Sequence, residues 1–224
     1  MDILAVKWTI WIVQVMVGLH WRNLSANSAV AFSLAKGLWT AFGIYWLISA
    51  LRRKPVKERE PWHERLRHLL PMAIAFALVF RTDSHFGWLR VRFISGSVAM
   101  DIVGLWVTAA GVAFAIWARR HLGENWSAVV SIRSEHELIR AGPYRYVRHP
   151  IYTGMLLALV GTVLVLGEVR GLIGLGIAVV SFYLKASKED VWLGREFGKN
   201  FEAHAKQTGM FLPRSGRAAG DAEK

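Results

Sequence analysis

Six apolar stretches, separated by short segments that carry most of the charge, decide what this chain can fold into. They are Leu4 to Leu19, Ala29 to Leu51, Leu66 to Phe80, Val98 to Ala118, Ile151 to Gly167 and Gly171 to Leu184. A helix needs about 20 mostly apolar residues to cross the hydrocarbon core of a bilayer. The first two stretches are interrupted only by Lys7, Gln14, Lys36 and a few hydroxyls, and the fourth by Asp101 near its start. Leu66 to Phe80 is short and contains Pro71, so a buried or tilted helix suits it as well as a full crossing. The last two carry no charge and are parted only by Glu168-Val169-Arg170, which reads as a helical hairpin. Exposed strand edges are too costly in lipid to offer an alternative. The expected fold is therefore an all-α, polytopic membrane bundle of about five to six transmembrane helices. No Ala-x-Ala-like cleavage site follows the first stretch, so it is expected to be retained.

Composition agrees and removes several functions. Of the 224 residues 54% are hydrophobic, and the mean hydropathy is +0.30, too oily for an ordinary soluble domain. The formal charge of +12 does not read as a nucleic-acid footprint, because the cations lie in blocks between apolar runs. They read as topology. Segments 52–68, 119–149 and 185–224 hold 7, 6 and 8 Lys and Arg, against 5 in the connections that fall on the other side. Cytoplasmic loops keep this excess, so both termini are expected in the cytoplasm. Most Trp residues fall near span ends, as interfacial anchors do. The absence of Cys removes thiolate zinc sites, Cys nucleophiles and disulfides, and no metal is expected.

Chemistry is expected in segments 119–149 and 185–212, which flank the hairpin. The run Gly142 to Gly154 (GPYRYVRHPIYTG) gathers aromatic rings, two guanidinium groups and an imidazole at a membrane boundary. Within it segment 119–149 gives way to Pro150, which suits the first turn of a helix. Two readings stand: an interfacial belt of snorkelling Tyr and Arg, or a ligand cradle in which Tyr144 and Tyr152 offer stacking faces and His149 a donor. Beyond the hairpin, Lys185 and Glu189 are i, i+4 neighbours on a continuing helix. They are either an exposed ion pair or a cation for an anionic substrate and a carboxylate for a cationic cofactor.

With LGENWS upstream, and KEDVWLGREFG and an aromatic-rich stretch ending FLP downstream, GPYRYVRHPIYTG resembles the membrane methyltransferases related to isoprenylcysteine carboxyl methyltransferase and phosphatidylethanolamine methyltransferase. The resemblance covers roughly Arg119 to Pro213. It implies S-adenosylmethionine as cofactor, bound in a cytoplasmic C-terminal cap, and a lipophilic acceptor entering from the bilayer. The positions matching the family's cofactor contacts are His136, Glu137, Leu138, Ile139, Tyr144, His149, Pro150, Ile151, Tyr152 and Glu189. Lys185 falls where the prenylcysteine enzymes place an Arg that orients the substrate carboxylate, so Lys185 and Glu189 are the implied catalytic pair. Lys185 offers a point charge instead of a fork, and Asp190 replaces a second Glu. If the acceptor is an amine, Glu189 or His204 is the candidate base. The implied division is 1–97 for N-terminal spans and loops, 98–213 for the methyltransferase core, and 214–224 for a disordered tail. Two other readings remain at this stage. One is an NADPH-dependent sterol-type reductase, for which the chain is short, and the other a non-catalytic membrane protein that binds anionic lipid.

Overall fold

The computed structural model describes residues 25–51, 62–81, 87–94, 96–123 and 138–214. The apolar stretch Leu4 to Leu19, together with His136 and Glu137, lies outside them. Six α-helices follow in order: α1 (Ala26–Leu51), α2 (Trp62–Phe80), α3 (Val98–Leu122), α4 (Pro150–Leu166), α5 (Val169–Phe197) and α6 (Lys199–Gln207). Two 3-10 turns, Gly87–Arg90 and Gly142–Arg145, precede α3 and α4. Among the described residues the only β pairing is two isolated bridges, Arg92 with Glu168 and Val147 with Gly209. Among the described residues three helices are long and apolar enough to cross a membrane, Ala26–Ser49, Val98–Leu122 and Val169–Phe197. Leu66–Phe80 and Pro150–Leu166 are apolar but shorter; at 1.5 Å per residue the 17 residues of α4 reach about 26 Å.

The boundaries differ from the apolar runs where charged residues prolong a helix. α3 continues past Ala118 through Arg119, Arg120 and His121, since cations in the last turn are favoured by the helix dipole. α5 continues past Leu184 without a break, which carries Lys185, Glu189 and Asp190 on one rigid element.

The hairpin does not pack mainly on itself. The most extensive partner of α4 is α3, and that of α5 is α2. Gly111 and Gly154 let the α3 and α4 backbones touch: a Cβ on Gly154 would stand 2.6 Å from Ala115 N. Small residues at such crossings are the usual means of tight helix association in lipid. α5 lies antiparallel to α2, with Gly174 against Ala75 O and Arg170 donating to the Leu78 and Arg81 carbonyls at the end of α2.

The core joins α1, α2 and α4 through aromatic rings. Trp39 is 2% exposed, edge-on to Phe42, Phe76 and Phe80, and donates its indole N–H to Thr162 Oγ1 at 3.0 Å. Trp39 is thus a core residue and not one of the interfacial anchors expected of most Trp: its N–H finds a partner inside, so its ring is buried without an unsatisfied donor. Asp101, the one charge in the α3 stretch, is likewise satisfied, accepting from Ser28 Oγ at 2.9 Å in the first turn, where the dipole favours an anion.

Candidate active site

Pro150 opens α4 and leaves His149 as its N-cap at φ −122°; the missing N–H costs nothing at this position. The preceding turn begins at Gly142, whose φ of +57° suits glycine, and a side chain there would also strike the His121 ring. The turn buries Tyr144, which forms a small cluster with Ala118 and Ile151, joined by half-buried Ile139. Burial first, and then the Glu189 charge, raise the Tyr144 hydroxyl far above its usual range, with Arg119 opposing, so it stays protonated. Leu138 is half-buried just ahead of the turn.

A strap from the C-terminal segment lies across this corner. The Arg148 N–H donates to Gly209 O at 2.9 Å, the His149 N–H to Met210 O at 3.1 Å, and Thr153 Oγ1 to Phe211 O at 2.8 Å. The Arg148 guanidinium joins three elements. It donates to Asp190 Oδ2 of α5 at 3.0 Å, to Ala205 O of α6 at 3.2 Å and to Thr208 O of the strap at 2.6 Å. Gly198, at φ +50°, makes the turn between α5 and α6 that brings the strap back. Phe201 and His204 are buried in α6.

The acids of α5 meet the signature here. His149 Nε2 is 2.8 Å from Asp190 Oδ1, and Nδ1 is 3.4 Å from Glu189 Oε2. The Tyr152 hydroxyl donates to Glu189 Oε1 at 2.7 Å. His149 is 7% exposed, whereas the Glu189 side chain is 24% exposed, so the acid is the more accessible partner. Burial by itself would lower the His149 pKa, but the hydrogen bonds to Asp190 and Glu189 and their charges prevail and raise it to about 8. The imidazole is thus a cation at neutral pH, held between two carboxylates. Tyr152 stacks on His149 at 5.6 Å and on Phe182 at 4.9 Å, with the Lys185 ammonium 5.7 Å from its ring centre. Its ring is engaged within the protein, and its hydroxyl fixes Glu189.

The sign of the His149 shift makes a prediction. A folded-state pKa raised from 6.5 to about 8 adds stability that is complete below about pH 6.5 and is lost as pH rises through 8. Thermal unfolding in detergent is expected to lose about 2 kcal/mol across that window, and His149→Gln to flatten the dependence. A wild-type profile without a fall between pH 6.5 and 8.5 would contradict the ion cluster.

Of the residues singled out in the sequence, the structure brings His149, Tyr152, Lys185 and Glu189 together, with Pro150 shaping the corner and Tyr144, Ile151 and Ile139 packed beside it. His136 and Glu137 lie outside the described residues. Sequence reasoning missed Arg148 as a junction, Asp190 as the direct partner of His149, Phe182 as the floor beneath Tyr152, and the strap. The pairing of a basic residue with an acid about forty positions on leaves no local period to find.

Next to the site a cavity of about 430 Å³ opens between α2 and α5, lined by Arg67, His68 and Pro71 of α2 and by Ile177, Ser181 and Leu184 of α5 among others. Ile177, Ser181, Lys185 and Glu189 are successive members of one i, i+4 row, so a single slanting ridge of α5 runs from the cavity wall into the site.

The fold and site are those of an all-helical membrane protein with a charged, aromatic corner at one end of its bundle. Three comparisons place it further. The sequence model of the isoprenylcysteine carboxyl methyltransferase (ICMT) family matches residues 102–194, which include every side chain of the ion cluster. A probable protein-S-isoprenylcysteine O-methyltransferase of Oryza sativa subsp. indica is 31% identical over 117 residues, 51% of this chain and 61% of that protein. The protein-S-isoprenylcysteine O-methyltransferase of Dictyostelium discoideum is 32% identical over 94 residues, 41% of this chain and 40% of that protein. The chain therefore matches less than two thirds of the length of these curated relatives. The solved structure of the eukaryotic intramembrane Ras methyltransferase ICMT shares the fold, with a TM-score of 0.51 at 16% identity over 94% of this chain and 72% of that one. Over residues 102–194, the chain is similar to the isoprenylcysteine carboxyl methyltransferase family.

Proposed function

We propose that this protein transfers a methyl group from S-adenosylmethionine to the carboxylate of a lipophilic, isoprenylcysteine-like acceptor at the cytoplasmic membrane face. The observation that carries the reading is the union of Glu189, His149, Tyr152 and Lys185 at the head of an apolar cavity between α2 and α5. The names of the matched relatives support methyl transfer to oxygen.

The residues fit a cofactor that has a cationic amino end. Glu189 is the accessible carboxylate of the cluster, oriented by Tyr152 and His149, and can hold an ammonium group. S-adenosylmethionine supplies, when bound, a methyl group already activated by its positively charged sulfur. The protein's share is therefore alignment and electrostatic field, not activation. A carboxylate acceptor is itself a nucleophile and releases no proton, so it needs no general base. Lys185, one helical turn before Glu189, is placed to draw an anionic head group toward the cluster. Its compact charge steers without imposing the two-point geometry of an Arg.

In this reading the bundle crosses the bilayer five to six times. The segments 52–68, 119–149 and 185–224 lie on the cytoplasmic side with both termini, and α6 with the strap forms the cap. The test is to supply purified protein with methyl-labelled cofactor and a total lipid extract, then identify labelled products by mass. A methyl ester of a lipophilic carboxylic acid is the expected product. Label on an amine would overturn the acceptor assignment, and no labelled product would overturn the activity.

A further inference from the structure

We infer that Asp190 is a positioning residue for cofactor recognition: it holds the Nε2 proton of His149, so the proton given up on binding leaves from Nδ1, and the bared Nδ1 receives the cofactor's ammonium together with Glu189. This rests on the proposed cofactor, whose amino end is cationic, binding beside Glu189. The two acids of α5 hold the imidazole unequally. Asp190 Oδ1 lies 2.8 Å from Nε2, whereas Glu189 Oε2 lies 3.4 Å from Nδ1, beyond the usual N–H···O range. An ionised carboxylate can only accept, so the Nε2 proton is fixed. Asp190 is kept from turning away, because Arg148 Nε holds its other oxygen at 3.0 Å and the same guanidinium is tied to the Ala205 and Thr208 carbonyls. The Nδ1 proton is the loosely held one, and it faces the more accessible acid.

Charge decides what happens when a further cation arrives. Glu189 and Asp190 of α5 act on the imidazole directly. Arg148 is bound to Asp190, and Lys185 stands over the Tyr152 ring, whose hydroxyl donates to Glu189. Tyr144 is near enough to feel both Glu189 and Arg119 of α3. The strap brings the Met210 carbonyl, which accepts from the His149 backbone, and the Phe211 ring, edge-on at 6.3 Å. With His149 charged, the cations Arg148, His149 and Lys185 already outnumber the two carboxylates by one. His149 is also the N-cap of α4, where the helix dipole disfavours a cation. Of the three cations, only an imidazole parts with its proton near neutral pH. His149 is therefore the group that gives way: its Nδ1 proton leaves to solvent, and the ammonium takes the vacated side of Glu189. Nδ1 and Glu189 Oε2, 3.4 Å apart, are spaced so that one ammonium nitrogen can lie within hydrogen-bond distance of both. Loss of the Nε2 proton instead would strip Asp190 of its donor and leave an N–H aimed at the incoming cation.

Calorimetric titration of the full chain with S-adenosylmethionine, in buffers of different ionisation enthalpy, counts the protons exchanged. Wild type, whose His149 pKa is about 8, is expected to release about one proton per cofactor between pH 6 and 7. Its affinity should rise nearly tenfold over that window, which lies below the titration of the cofactor's own α-amino group at about 7.8. Nitrogen-15 NMR of ring-labelled histidine, with His149→Gln identifying the signal among the 8 His, should show Nδ1 losing its proton on binding and Nε2 keeping it. In Asp190→Asn the release at pH 7 should fall below about half a proton, as the imidazole returns toward its ordinary pKa. Asp190→Glu, which keeps the carboxylate, should restore it. A proton count unchanged in Asp190→Asn would reduce Asp190 to a brace of the fold; should that variant not fold, the wild-type count and the NMR decide. Binding without proton release, or with Nε2 deprotonated, would overturn the exchange and leave the cofactor assignment standing, whereas no binding at all would overturn both.

Discussion

Glu189→Gln is expected to lower methyl transfer by about a hundredfold to a thousandfold, the usual loss when one preorganised electrostatic partner is removed from a reaction site, while the protein still folds. The glutamine keeps the shape and can accept the Tyr152 hydroxyl, which Glu189 Oε1 binds at 2.7 Å. What it removes is the charge, which balances His149 across 3.4 Å and which, in the proposed function, holds the cofactor's cationic end. The effect should appear in cofactor affinity as well as rate. Binding and turnover measured on the same preparation check it, and undiminished affinity in the variant would remove Glu189 from the cofactor site.

Arg148→Ala should cost stability more than any other single change at the site. The pair with Asp190 is 14% and 16% exposed, so breaking it approaches, without reaching, the 3–5 kcal/mol typical of fully buried pairs; about 2 kcal/mol is expected. The loss has a spatial signature, because the same guanidinium binds Ala205 O and Thr208 O. Limited proteolysis should find the segment after Gln207 cleaved faster in the variant. Arg148→Lys should recover part of the stability, since it restores the charge but not the three-way fork. Equal protection of the strap in wild type and Arg148→Ala would show that the backbone bonds to Gly209 and Met210 suffice on their own.

The helices were legible in the sequence because an apolar run long enough to span has few alternatives in lipid, and the corner was legible because Pro150, between a charged loop and an apolar run, suits the first turn of a helix. The i, i+4 placement of Lys185 and Glu189 followed from one helix continuing past Leu184, which it does. The partners of α4 and α5 were not legible. Chain neighbours suggest a hairpin packed on itself, yet the glycines of α3 and α4 fit each other more closely, and this complementarity depends on three-dimensional register. Trp39 shows the same limit, since composition cannot tell an indole at a span end from one whose N–H has Thr162 within reach. The strap was beyond reach for another reason. Its bonds to Arg148 and His149 are made by backbone atoms of Gly209 and Met210, which every residue possesses. Arg214, the first residue of the expected tail, donates to Lys206 O at 2.9 Å.

Calorimetric titration of the purified protein with S-adenosylmethionine tests the central claim most directly, with Glu189→Gln and His149→Gln run alongside. A saturable, one-to-one heat in the micromolar range that weakens in both variants is the expected result. No heat up to millimolar cofactor, or the same affinity in all three proteins, would contradict a cofactor held between the His149–Pro150 corner and the acid of α5.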